Sequence, residues 1–349
     1  MREKLAGSST KWSQRFRKAR SSNGPRLGRG LVLLLVINAL VLAVNLVLIY
    51  ALPTSVSKRA PEASPPIALG STAGAAKIDE VTNKVGVAPS IVMWYQHWSG
   101  SPSFPSQAAD AAVSRGAMPI VTWEPRDPRG GGAQPQYALR TIVAGEHDAY
   151  IRRWAQEAAA WGKPIYLRFA HEMNGDWYPW SSGVNGNTSA EYVSAWRHVH
   201  DVFRQEGATN VRWVWSPNED GSTPFADVYP GDAYVDWVGI DGYNWGTTQE
   251  WSEWSSLSEI FGPAYRQLTT MTDKPMIIAE TASTEVGGDK AAWIRQGLLK
   301  DLPSQFPRIR AVVWFDENKE TSWSVNSSEA ALAAYREAAL SPLYSGQLK

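Results

Sequence analysis

Cysteine is absent from the 349 residues, which excludes disulfides, thiolate metal sites and a cysteine nucleophile. Histidine is scarce, at five copies. His97, His147, His198 and His200 show no metal-ligand spacing, and the close pair His198 and His200 would point two ways from a helix. No metal or organic cofactor is therefore expected. Net charge is missing too: 34 Lys and Arg balance 34 Asp and Glu, so nothing recommends nucleic acid as a partner. No internal repeat is visible beyond an alternation of strand-like and helix-like segments.

What the chain has in excess is tryptophan. There are 18, and all but Trp12 lie after residue 90. Ahead of them the chain changes character twice. Residues 1–30 are basic, with nine Lys and Arg against Glu3. Leu31 to Tyr50 then runs without a charge, and twenty helical residues span roughly 30 Å, the thickness of a bilayer core. A transmembrane helix is expected over residues 31–52, following a cytoplasmic tail at 1–30. The positive charge before it orients the rest of the chain to the outside. Single-pass attachment to the cell membrane follows, with secretion after signal cleavage as the alternative. Residues 53–65, rich in Pro, Ser and Ala, read as a linker.

Residues 66–345 form a domain in which β-prone runs alternate with helical patterns, the signature of βα units around a parallel sheet. Strands are expected near Ile67–Gly70, Ser90–Tyr95, Met118–Trp123, Ile165–Ala170, Val211–Trp215, Val235–Ile240, Met276–Glu280 and Ala311–Phe315. Helices are expected at Ala75–Val85, Ser106–Arg115, His147–Trp161, Ser189–Glu206, Ser256–Met271, Asp289–Leu299 and Ser328–Ala339. Eight strands in an α/β pattern predict a (β/α)8 TIM barrel, whose active sites are built at the C-terminal ends of the strands.

Two carboxylates sit at such ends, Glu172 after the fourth strand and Glu280 after the seventh. A lone glutamate at a strand end is most often just solvated, but a second in an equivalent position makes a pair. Strand side chains alternate, so Met276, Ile278 and Glu280 are expected on one face and Ile277 and Ala279 on the other. Carboxyl groups roughly 5–5.5 Å apart define a retaining glycosidase. Aromatic and polar residues follow nearly every strand: Trp94 to Trp98 with His97, Trp123-Glu124, Trp177 to Trp180, Trp215 to Asn218, Asp241 to Trp245, and Trp314-Phe315-Asp316. Flat aromatic faces suit the C–H faces of sugar rings.

Arg168 to Trp180, RFAHEMNGDWYPW, with Asp241-Gly242-Tyr243 and Ile278-Ala279-Glu280-Thr281, resembles glycoside hydrolase family 26, best known for endo-β-1,4-mannanases. The likeness runs over roughly residues 66 to 340. It implies a retaining barrel with Glu172 as acid/base and Glu280 as nucleophile. It further implies that His171 touches sugar near the cleavage point, that Trp177 forms a platform, that Tyr243 bonds the nucleophile and that Trp314 stacks under the attacked sugar. Trp180, Trp245, Trp123 and His97 complete the expected substrate contacts. One departure stands out: family mannanases commonly carry Trp-His after the third strand, where this chain has Trp123-Glu124-Pro125.

The expected function is a membrane-anchored retaining endo-β-glycanase cleaving β-1,4-linked mannan-type polysaccharide. The alternatives are a mixed-linkage β-1,3/1,4-glucanase or xylanase of the same family, or a catalytically silent glycan-binding barrel. The expected partners are a polysaccharide and, through the N-terminal helix, a membrane.

Overall fold

The structure, a computed structural model, describes residues 65–100 and 102–348. The tail, the transmembrane segment and almost all of the linker expected from sequence lie outside the described residues. Among the described residues no helix is long and apolar enough to cross a membrane.

Eight strands close into one parallel barrel in sequence order: β1 Ala68–Ser71, β2 Ile91–His97, β3 Met118–Glu124, β4 Ile165–Phe169, β5 Val211–Trp215, β6 Trp237–Asn244, β7 Met276–Ser283 and β8 Ile309–Trp314. β1 pairs with β8 over four residues to complete the ring. Each strand was anticipated, with ends displaced by a few residues. The largest shifts are in β6 and β7, which run on to Asn244 and Ser283 because they stay paired there. Glu280 therefore sits inside its strand rather than at its end.

The helices start where side chains can satisfy their orphan N–H groups. Thr188 and Glu191 form a capping box on Ser189–Gln205, and Ser256 and Glu259 form another on Leu257–Met271. Gly162, in the left-handed region at φ 71°, ends Asp148–Trp161 and turns the chain into β4. The helix expected over Asp289–Leu299 is instead Lys290–Gln296, a π-helical stretch Gly297–Asp301 and Leu302–Gln305. Short helices at Leu139–Val143 and Phe225–Val228 carry too few residues for a periodic signal.

Alternation along the strands builds two apolar shells. Ile91, Met93, Ile120, Tyr166, Val214, Ala311 and Val313 fill the barrel, closed off by Leu348. Val121, Trp123, Leu167, Phe169, Trp213, Trp215, Val312 and Trp314 face outward against the helices.

β7 breaks this rule. Ile277 and Ala279 point into the barrel while Met276 and Ile278 join the outer shell. Strict alternation would carry Glu280 outward with Ile278; the sequence reading put the two on one face, and the structure separates them. However, Ile278 pairs with Ile240 and Glu280 with Asp241, so Ala279 is an extra residue opposite β6. The register against β8 slips over the same stretch. This bulge changes the phase and brings Glu280 to the barrel mouth, the kind of re-aiming for which bulges recur beside active sites.

Candidate active site

A cleft of about 680 Å³ opens at the C-terminal ends of the strands and is lined by both Glu172 and Glu280. β4 leaves the barrel through Ala170 at φ 44° and Glu172 at φ 52°, a region non-glycine residues rarely occupy. The Glu172 N–H donates to the Ser216 carbonyl at 2.7 Å, which pins the strained turn to β5. Strained backbone of this kind clusters at active sites and ligand clamps.

The two carboxyl groups have different surroundings. Glu280 is held from below: Arg168 donates to its Oε1 at 2.5 Å and the Tyr243 hydroxyl donates to its Oε2. Arg168 is fully buried and also donates to Asp241 and, at 3.1 Å, to the Thr122 hydroxyl. Asp241 in turn accepts from the Ser216 hydroxyl at 3.0 Å. A buried guanidinium is tolerated only with such partners, so Arg168, Asp241 and Glu280 form one unit across β4, β6 and β7. Tyr95, from β2, also lines the cleft with its hydroxyl buried, and burial followed by the Glu280 charge raises it well above the usual range.

Glu172 is buried to a similar degree but has different partners. The Trp177 indole donates to its Oε2 and the Asn218 amide to its Oε1, both at 2.9 Å. Asn218 is fixed by exchange with Asn174, whose side chain accepts from the Asn218 N–H at 2.9 Å and donates to its carbonyl at 2.8 Å. Burial, then the charge of Glu280, pushes the Glu172 carboxyl up to about 7, against the pull of the Asn218 bond. Its neighbour Glu219, facing the same cleft, is pushed up to about 8 by burial and by the charges of Asp220 and Glu172.

Among the expected substrate contacts, Trp177, Tyr243 and Trp245 line the cleft. Trp123, Trp180 and Trp314 do not, and all three are fully buried. Trp123 and Trp314 fall on outward positions of β3 and β8, where Trp123 packs against Trp98, Tyr150, Trp154 and Phe203 and Trp314 against Trp293 and Tyr335. Their neighbours Glu124 and Phe315 have the inward phase and line the cleft instead. Trp180 stacks beneath Tyr178 with ring centroids 4.4 Å apart and donates to the His171 carbonyl.

His171 is buried behind Tyr178, whose hydroxyl lies 3.1 Å from its Nε2. Burial, then the charges of Arg168 and Arg126, holds its imidazole well below the usual range and hence neutral. His171 shapes the wall that Tyr178 presents to the cleft. His97 is half-buried outside the cleft, and burial followed by the Arg126 charge lowers it. None of these five side chains is among those lining the cleft.

On β3 the position after Trp123 carries an ion pair. Arg126 donates to both oxygens of Glu124, at 2.9 and 3.1 Å, and lies over the Tyr178 ring at 5.0 Å. The sequence reading gives no role to Arg168 or Arg126 and takes Glu124 only as one of the polar groups after the strands and as the departure from Trp-His. The available signal was a charged residue inside a strand, at Arg168 and Glu124, which demands a buried partner.

Residues 140–299 match the sequence model of Glycosyl hydrolase family 26. Endoglucanase H of Acetivibrio thermocellus is 47% identical over 254 residues, 71% of this chain and 27% of that protein. A mannan endo-1,4-beta-mannosidase of Bacillus subtilis is 30% identical over 192 residues, 52% of this chain and 46% of that protein. The chain thus spans between a quarter and a half of the length of these two relatives. Among solved structures, a Cellulomonas fimi endo-beta-1,4-mannanase double mutant superposes with a TM-score of 0.63 at 19% identity, covering 80% of this chain and 71% of that one. A GH26 beta-mannanase from Bacteroides ovatus superposes with a TM-score of 0.57 at 19% identity, covering 80% and 89%. At that identity the superpositions speak to the fold.

Proposed function

Since the chain belongs to glycosyl hydrolase family 26, we propose that it is a retaining endo-β-glycanase in which Glu280 is the nucleophile and Glu172 the acid/base. The carrying observation is the contrast between two glutamates in one cleft. Glu280 accepts from Arg168 and Tyr243 on its two oxygens, an arrangement that fixes an attacking carboxylate. Glu172, raised to about 7, holds a proton near neutral pH, as a general acid must. Glu280 attacks the anomeric carbon as Glu172 protonates the departing oxygen. Glu172 then takes a proton from water, which attacks the glycosyl-enzyme ester, frees Glu280 and restores the original configuration. Failure of Glu280→Ala to abolish the release of new reducing ends would overturn the assignment.

For the substrate we favour a β-linked glucan over the mannan expected from sequence. Two observations support it: the 47% identity to a protein named as an endoglucanase, and the Glu124–Arg126 pair where family mannanases carry histidine. Mannan is the second reading, supported by the relative named as a mannosidase. Initial rates on mannan, mixed-linkage β-glucan and xylan decide between them, and binding without cleavage on all three would favour a silent glycan-binding barrel.

The remaining proposal is attachment: residues 31–52 as a single membrane span, 1–30 inside, and the barrel outside on a linker at 53–65. It rests on the uncharged run and the basic flank. Cell fractionation tests it: recovery of the full-length chain in the soluble fraction would refute it.

A further inference from the structure

The aromatic residues of the cleft are not equally committed. Tyr243 and Trp245 pack on Trp323, with centroids 5.1 and 4.8 Å away. Trp251 is different: it is 73% exposed, and it meets Trp245 at 63° with centroids 5.5 Å apart. It nonetheless lines the same cleft. The loop that carries it is pinned from several sides. The Ser252 hydroxyl donates to the Gly246 carbonyl at 2.8 Å and the Thr248 hydroxyl to the Trp245 carbonyl at 2.7 Å. The Asn244 side chain accepts from the Ser255 N–H at 3.0 Å, and the Thr247 N–H donates to the Val286 carbonyl at 3.2 Å. A large apolar ring held outward on an ordered loop forgoes the stabilisation that burial would give. Of the faces a ligand could offer it, the C–H face of a pyranose fits a flat indole best.

Its ring contacts set it two rings away from the chemistry. Tyr243 bonds Glu280, Trp245 lies 6.1 Å from Tyr243, and Trp251 lies 5.5 Å from Trp245. A sugar on Trp251 is therefore not the one under attack but one further along the same glycan.

We infer that Trp251 is the stacking platform of an outlying subsite that holds a neutral sugar unit of the substrate chain beyond those flanking the cleaved bond. The inference rests on the glycanase reading above and adds a preference for long chains. It makes the enzyme's affinity depend on substrate length through one exposed side chain.

The test uses two readouts. In active protein, Trp251→Ala raises KM on the cleaved polysaccharide about tenfold, the value of one lost aromatic stack of about 1.4 kcal/mol. The loss shrinks as the substrate is shortened through an oligosaccharide ladder, and Trp251→Phe recovers most of it. In protein already inactivated by Glu280→Ala, retardation in gels containing mixed-linkage β-glucan or mannan weakens by a similar factor when Trp251→Ala is added. A loss equal on the shortest cleavable oligosaccharide and on the polymer, or retardation unaffected by Trp251→Ala, overturns the platform. Absence of cleavage by the active protein together with retardation relieved by Trp251→Ala would sink the hydrolase reading and leave the platform standing. Absence of retardation on either glycan would remove the platform itself.

Discussion

Substituting Glu280 by Gln lowers the pKa of Glu172. The Glu172 carboxyl is raised from 4.5 to about 7 by burial first and by the Glu280 charge second. Glutamine keeps the shape and much of the burial at position 280 but removes the charge. At roughly 5.5 Å, the spacing of a retaining pair, a unit charge acting through an effective dielectric of about 20 is worth about 3 kcal/mol. One pKa unit is about 1.4 kcal/mol, so the fall is up to about two units. Burial is untouched, so the final value stays above 4.5.

The sign carries to activity. A general acid works protonated, so kcat/KM of the unaltered enzyme falls about tenfold per pH unit above about 7. Glu280→Gln has no turnover to follow, so the measurement is a carbon NMR titration of protein labelled at the glutamate carboxyl, with Glu172 assigned through Glu172→Gln. A Glu172 midpoint that stays put when Glu280 is neutralised would refute the reasoning, because the two groups would then not share a site.

Further outcomes follow from the same contacts. Glu172→Ala loses about 10²–10⁴-fold on substrates with poor leaving groups and is rescued by azide on activated aryl glycosides; absence of rescue would assign Glu172 another role. Arg168→Met leaves Glu280 and Asp241 buried without their cation and costs about 3–5 kcal/mol of stability, read as a lower urea midpoint at constant slope. Trp123→Ala opens a cavity between β3 and the helices and costs about 3–5 kcal/mol; a change in kcat exceeding its effect on urea stability would return Trp123 to the cleft. Glu219→Gln mimics the neutral acid that a pKa of about 8 implies, so its activity matches the parent below pH 7 and diverges above pH 8.

Sequence alone carried the order of the eight strands, most of the longer helices between them and the position of Glu172 where β4 runs out. These features are local, written in periods of apolar residues and in the turn and cap residues that separate them. It also supplied the pairing of Glu172 with Glu280, since both fall at the ends of expected strands.

What it could not set was phase. A period of two offers two faces and does not say which is inside, so the tryptophans at 123 and 314 were credited to the cleft while Glu124 and Phe315, one residue on, occupy it. The extra residue at Ala279 is invisible in β7 itself, because a bulge is a mismatch between two strands and exists only when β6 lies alongside. The ion pairs of Arg168 with Asp241 and Glu280 join strands 73 and 112 residues apart. Barrel closure decided those contacts, since only there do long-range neighbours repay the desolvation of a buried charge.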